Sequence, residues 1–225
     1  MEQFTFLQER AYSYLRDKIF EDQMDYDTIY SEMQIAKELG CSRTPVKDAL
    51  TRLRHDKYID ILPSKGFMLH RITPEDILST FQTRVAVEAF CVINIMKNQE
   101  TEVGHAVLGR LNDLITEQER FAEKANLDGF LQSDIQFHRE IVTSTPNSDF
   151  HELFEAHTYR IEKLAAQSLR EGNRCKIALQ EHQAILKAIA QRSLSACYHA
   201  VEMHNQSTYE YDLRILARQH DGKRP

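Results

Sequence analysis

The chain has 225 residues, 42% of them apolar, and its 28 Lys or Arg against 34 Asp or Glu leave a net charge of −6 at neutral pH. That length allows one large or two small domains with a real core, and 7 Gly, 5 Pro and no Trp favour helices joined by short connections. No apolar run approaches the roughly 18 residues of a membrane span and the N-terminus lacks a signal-peptide pattern, so no membrane partner is expected; Cys41, Cys91, Cys175 and Cys197 are scattered with no Cys-x-x-Cys and read as reduced thiols of a cytoplasmic protein.

Taken in chain order, Phe4 to about Asp22 reads as a first helix, with Leu7, Ala11, Tyr14, Leu15 and Ile19 as its inner stripe. Ser31 to Gly40 reads as a short second helix closed by a glycine, and Gly40-Cys41 as the tight turn of a helix-turn-helix. In the next run, Ser42 is a good N-cap and Pro45 falls in the first turn, where its missing N–H costs little. Val46, Ala49, Leu50 and Leu53 then share one face, while Arg43, Thr44, Lys47 and Thr51 share the other. A helix that buries one stripe and offers cations and hydroxyls on the other suits the DNA major groove. Lys57 to Leu62 alternates as a strand does, residues 63–66 are a turn, and Phe67 to His70 is a returning strand. Lys65 and Gly66 at the hairpin tip can approach a phosphate or the minor groove closely. Each piece alone also fits an ordinary helix pair; the ordered set points to a winged helix that binds double-stranded DNA.

Charge is distributed accordingly. Residues 37–71 carry eight Lys or Arg against four acids, whereas residues 1–36 carry three against eight and residues 73–225 carry 17 against 22. An acidic remainder limits nonspecific DNA affinity and makes paired presentation of two reading heads more important.

From Ile29 to Leu69 the chain resembles the GntR family of bacterial transcription regulators. The resemblance rests on a Ser-Glu pair opening the second helix, Ile-Ala, Leu-Gly, the string Ser-Arg-Thr-Pro-Val-Lys-Asp-Ala-Leu and a Gly in the wing. It implies groove or phosphate contacts at Arg43 and Lys47, a phosphate contact at Thr44, and Gly66 at the wing tip. Met33 and Lys47 stand where the family often has Arg. Lys cannot make the two-pronged guanine contact of Arg, so sequence preference is expected to shift.

Residues 71–75 read as a linker, and Thr73-Pro74 as an N-cap followed by Pro at the first helical position. Six helices are expected beyond it, at about 74–98, 101–124, 127–144, 148–170, 174–191 and 194–218. The fold expected is mainly α: a winged helix-turn-helix at 1–72, an all-α bundle at 73–219 for metal and effector binding and dimerisation, and a flexible tail at 220–225.

Asp134 and His138, at i and i+4, share a helix face and can ligate one ion. The midpoint of His182 and His204 is residue 193, the expected turn between the last two helices. If those helices pack antiparallel, both rings lie at one height, about 16 Å from the turn. One carboxylate and three imidazoles suit a divalent transition metal, with Zn first and Ni, Mn, Fe or Co as alternatives. Ten His in one chain also align by chance; His199 rivals His204, and His151 and His157 read as structural or solvated.

Residues from about 74 to 218 also resemble the FadR-type (FCD) ligand-binding domain of the same family. The matching residues are Arg84 and Glu88, Asp134-x-x-Phe-His138, Thr145-Pro-Asn147, Glu181-His182 and Met203-His204. The resemblance implies Asp134, His138, His182 and His204 as metal ligands beside a small carboxylate effector, and six helices would place the chain nearer the VanR branch. Arg84 is the effector candidate, able to form a two-pronged bond to a carboxylate or an intrahelical pair with Glu88; Arg160 and Tyr159 rank below it. The expected function is a homodimeric, metabolite-responsive transcription regulator, a repressor rather than an enzyme, on a palindromic operator. The rivals are a metal-dependent hydrolase using Glu140 or Glu181 as base, and a winged-helix protein–protein adaptor.

Overall fold

The computed structural model describes residues 2–221, which form two compact units divided between Ile72 and Thr73. No helix in it is long and apolar enough to cross a membrane.

In the first unit, α1 (Glu2–Phe20), α2 (Glu32–Leu39) and α3 (Arg43–His55) precede a hairpin of β1 (Ile59–Leu62) and β2 (Gly66–Leu69). Ala11, Leu15 and Ile19 of α1 meet a core completed by Val46, Leu50 and Leu53 of α3, Ile35 and Leu39 of α2, and Ile59, Phe67 and Leu69 of the hairpin. The inner stripe of α1 differs from expectation at one place: Tyr12 is buried, while Tyr14 sits at the edge and donates to Glu38 at 2.7 Å. Tyr12 instead donates to buried Asp56 at 3.0 Å; burial and that carboxylate push its hydroxyl up to about 12. Gly40 takes φ +64, and the N–H of Cys41 reaches back to the Ala36 carbonyl at 3.0 Å, which ends α2 and starts the turn. Ser42 occupies the N-cap of α3, although its hydroxyl makes no cap bond.

The hairpin pairs antiparallel from Ile59 opposite Leu69 to Leu62 opposite Gly66. Tyr30 adds a further rung by exchanging two backbone hydrogen bonds with Phe67, at 2.7 and 3.0 Å. This explains Gly66. Its φ is +127, and a Cβ there would collide with the Tyr30 carbonyl oxygen.

The second unit contains α4 (Pro74–Asn98), α5 (Glu102–Glu123), α6 (Leu127–Thr143), α7 (Ser148–Ser168), α8 (Arg174–Ala190) and α9 (Leu194–Asp221). Thr73 and Asp76 close a full capping box at the start of α4, with Pro74 at the first helical position. Asn126 and Asn147 cap α6 and α7 through their side-chain oxygens. A shared apolar core runs from Val92 and Ile95 of α4 through Leu111, Phe137, Ile141 and Ile185 to Val201 of α9. The last helix continues through Asp221, so His220 and Asp221 are helical rather than part of a loose tail; residues 222–225 lie outside the described residues.

Candidate DNA-reading surface and metal centre

The outer face of α3 is polar because its inner face is consumed by the core. Arg43, Thr44, Lys47 and Thr51 are all exposed, as is Lys65 at the hairpin tip, while Gly66 is half-buried at the start of β2. Arg43 is held loosely by Glu32 at 3.2 Å, with two-thirds of its side chain exposed. An exposed pair of this kind is worth under about 1 kcal/mol, so it yields readily to a phosphate or base edge. The Thr51 hydroxyl donates to the Lys47 carbonyl at 2.9 Å, which leaves its lone pairs, but not its proton, for an outside partner.

Three helices of the second unit bring the predicted ligand residues to one buried region. Asp134 and His138 are one turn apart on α6, His182 is on α8 and His204 on α9, all less than a tenth exposed. Among the described residues, His138, His182 and His204 each place a ring nitrogen within 4.8 Å of the others. The Asp134 carboxylate lies 3.6 Å from Nε2 of His182, beside the triad rather than within that 4.8 Å set. The His182 and His204 ring centroids are 4.7 Å apart, which is the equal height that their spacing about residue 193 predicts. His199 is excluded from the cluster, with its side chain 71% exposed and nearest Glu202 at 3.8 Å. His151 bonds the Thr145 carbonyl, and His157 contacts Thr80 and Arg160.

The orientation of the three rings is set from behind. Nδ1 of His138 lies 3.0 Å from Glu88, Nδ1 of His182 lies 2.8 Å from Oε1 of Gln118, and Nδ1 of His204 lies 3.0 Å from Glu181. Gln118 donates its amide N–H to the Ser133 carbonyl at 3.2 Å, which turns its oxygen toward His182. Every Nδ1 therefore faces an acceptor and carries the proton, so every Nε2 presents a lone pair inward. All three Nε2 atoms are buried without a partner. Unsatisfied buried nitrogens are costly, and three converging beside a carboxylate fit a divalent transition metal.

The electrostatics agree with this donor set. Burial, then neighbouring His204 and His138, holds His182 well below the usual imidazole range; burial and His138 do the same to His204. Both rings are thus neutral, as ligation requires. Burial raises the Asp134 carboxyl, against the pull of His138 and Arg84. Burial alone would also raise Glu88, but Arg84 and His138 outweigh it and keep that carboxylate ionised.

Arg84 resolves its two readings by doing both. Its Nε donates to Glu88 at 2.7 Å, while Nη2 is buried and unpartnered, and the side chain lines a cavity shared by α4, α6, α7, α8 and α9. Arg160 does not line that cavity; it pairs with Asp76 at 3.3 Å and His157 at 2.9 Å, and Tyr159 is fully buried elsewhere.

Sequence reasoning missed Arg174, a second buried guanidinium on the cavity wall, which donates to Glu181 at 2.9 Å and to Thr208 at 2.8 Å. It also missed Gln118 as the orienting group of His182. Glu181 serves as the anchor of His204 and Arg174, and Glu140 pairs with Arg110 at 2.7 Å, so neither stands as a free base beside the cluster.

A winged helix with a polar outer helix face, on one chain with a helical bundle built around buried donors, defines the class of DNA-binding transcription regulators. Residues 7–69 match the bacterial regulatory proteins of the gntR family, and residues 79–207 match the FCD domain. An uncharacterised HTH-type transcriptional regulator from the TAR-I ttuE-ttuC' intergenic region of Agrobacterium vitis is 31% identical over 112 residues, 50% of this chain and 65% of that one. The HTH-type transcriptional repressor RspR of Escherichia coli is 21% identical over 202 residues, 90% of this chain and 87% of that one. Among solved structures, a GntR transcriptional regulator from Rhodococcus sp. RHA1 gives a TM-score of 0.70 at 19% identity, over 92% of this chain and 97% of that one. The chain belongs to the GntR family, with an FCD domain following its winged helix in sequence, and is a transcription regulator rather than an enzyme.

Proposed function

We infer that the protein is a metabolite-responsive repressor that acts in the cytoplasm as a homodimer on a palindromic operator. Arg43, Thr44, Lys47, Thr51 and Lys65 touch DNA, and Gly66 shapes the wing that carries Lys65. Asp134, His138, His182 and His204 hold a divalent transition metal, zinc first among the candidates. A small carboxylate effector binds in the adjoining cavity, with Arg84 as a direct contact. With six helices, the bundle suits the VanR branch.

The observation that carries this reading is the convergence of three buried, unpartnered Nε2 atoms beside a cavity into which Arg84 turns an unpartnered Nη2. A bound ion supplies positive charge and open coordination positions for a carboxylate oxygen. The chain itself supplies the rest: Glu88, Gln118 and Glu181 fix the rings, and Arg84 orients the carboxylate. For binding to reach the operator, the effector must favour one arrangement of the reading heads over another. The repressor reading draws support from RspR, which carries that name.

The test is operator binding by gel shift with protein stripped of metal, reloaded with zinc, and reloaded in the presence of small organic acids. An acid that releases DNA from zinc-loaded wild type, but not from the stripped protein or from Arg84→Ala, supports the reading. Release that is equal in all three would sink it.

A further inference from the structure

One face of α9 carries polar groups that neither the metal centre nor a carboxylate contact uses. Asn205, Thr208 and Asp212 recur at helical spacing along the cavity wall. Asp212 is 4% exposed and Asn205 is 2% exposed. Oδ1 of Asp212 and Oδ1 of Asn205 are both buried without a hydrogen-bond partner. Opposite in character stands Nη2 of Arg84, a donor without an acceptor. Besides the ring nitrogen of His204, the same cavity therefore offers two unmet guanidinium donors, Nη2 of Arg84 and Nε of Arg174, and two unmet acceptors, one of them a carboxylate.

Charge pairing sharpens the contrast. Arg84 is matched by Glu88 and Arg174 by Glu181, at 2.7 and 2.9 Å. Asp134 lies among the histidines. Among the described residues Asp212 forms no ion pair with a Lys or Arg, and its Oδ1 has no hydrogen-bond partner. Burial raises its carboxyl to about 7, and the more distant Arg84 and Arg174 only partly offset this. A buried acid in that condition is expensive to keep ionised. A ligand that brings both a hydrogen-bond donor and a positive charge removes the expense.

We propose that the effector is a small amino acid, whose carboxylate is read by Arg84 and whose ammonium group is read by Asp212, with Asn205 accepting a second ammonium hydrogen. Apolar Ile77, Phe81 and Leu164 on the remaining wall leave its side chain a hydrocarbon surface. The proposal rests on the carboxylate-effector reading given above and narrows it to one chemical class. Sites built to satisfy a donor discriminate strongly against analogues that lack it, because their own buried acceptors then stay unpaired.

The experiment uses matched probes titrated by calorimetry into the zinc-loaded full chain. One set is propionate, L-lactate and L-alanine; the other is succinate, L-malate and L-aspartate. Each set holds the carboxylates constant and varies a single substituent between hydrogen, hydroxyl and ammonium. In one set or both, the amino acid is expected to bind roughly tenfold or more tighter than the unsubstituted acid. Asp212→Asn, checked for folding by circular dichroism, is expected to lower the amino acid to the level of the unsubstituted acid. If the unsubstituted or hydroxy acid binds as well as the amino acid, or the gap survives in Asp212→Asn, the assignment is overturned while the carboxylate reading stands. If none of the six binds, the carboxylate reading fails and takes this proposal with it.

Discussion

At the residue scale, folding keeps two imidazoles of the site, His182 and His204, from protonating. His182 and His204 are depressed by burial in the folded chain, whereas in the unfolded chain they titrate near about 6.5. Below that pH the unfolded state binds more protons, so the stability of the metal-free protein should fall as pH drops. Each unit of depression is worth about 1.4 kcal/mol. Asp212 acts in the opposite sense. Its folded carboxyl is raised to about 7, so the stability it allows is complete below about 4 and declines as pH rises toward 7. Thermal melts of metal-free Asp212→Asn should therefore show stability rising more steeply from pH 5 to 7 than in wild type, with the raised Asp134 carboxyl still opposing the histidines. A slope equal to that of wild type would mean that the Asp212 carboxyl titrates alike in the folded and unfolded chain. Metal content gives the complementary measurement: wild type should carry about one transition metal per chain, and His182→Ala and His204→Ala should lose it. Variants that keep a full complement would remove those residues from the ligand set. His199→Ala should change nothing.

At the element scale, the wing depends on one glycine. Gly66 combines φ +127 with a backbone carbonyl where a side chain would stand. Gly66→Ala should cost at least about 2 kcal/mol in the first unit, since neither strain nor collision can relax without breaking the Tyr30–Phe67 rung. Chemical denaturation of wild type and variant would test this, and an equal midpoint would refute it. Elements of this kind show how far sequence reasoning reaches. The helices of both units were legible because apolar spacing, caps and Pro74 all act locally. The candidate metal cluster was half legible: Asp134 and His138 by i,i+4 spacing, His182 and His204 by their symmetry about a turn. What surrounds the cluster was not. Gln118 stands 64 residues from the ring it orients. Glu88 read only as an intrahelical partner of Arg84, because spacing reveals a pair and not the second oxygen that reaches His138. Arg174, Asn205 and Asp212 read as ordinary polar positions, since burial of a polar face is a property of packing. Tyr12 displaced Tyr14 for a similar reason: the Asp56 that receives its hydroxyl lies 44 residues away.

At the scale of the whole molecule, the single outer face of α3 covers too few base pairs for selective binding by one chain. Sedimentation at micromolar concentration should show a dimer; a monomer that still binds a half-site tightly would contradict that. Arg43→Ala should weaken operator binding by about 1–3 kcal/mol if Arg43 reads a base, and operator and random DNA equally if it meets a phosphate. The two carboxylates behind the histidines have a wider consequence. Glu88 bridges Arg84 to His138, and Glu181 bridges Arg174 to His204. Each joins a cavity guanidinium to a donor ring through one shared anion, so an occupant of either side alters the partner available to the other. Thermodynamic reciprocity then requires metal to change effector affinity by the same factor as effector changes metal affinity, and the proposed reading takes both as a tightening. On the repressor reading proposed above, a cell short of either would leave the operator closed, and the regulator would work as a coincidence detector, with nutrient and trace ion both needed before transcription begins.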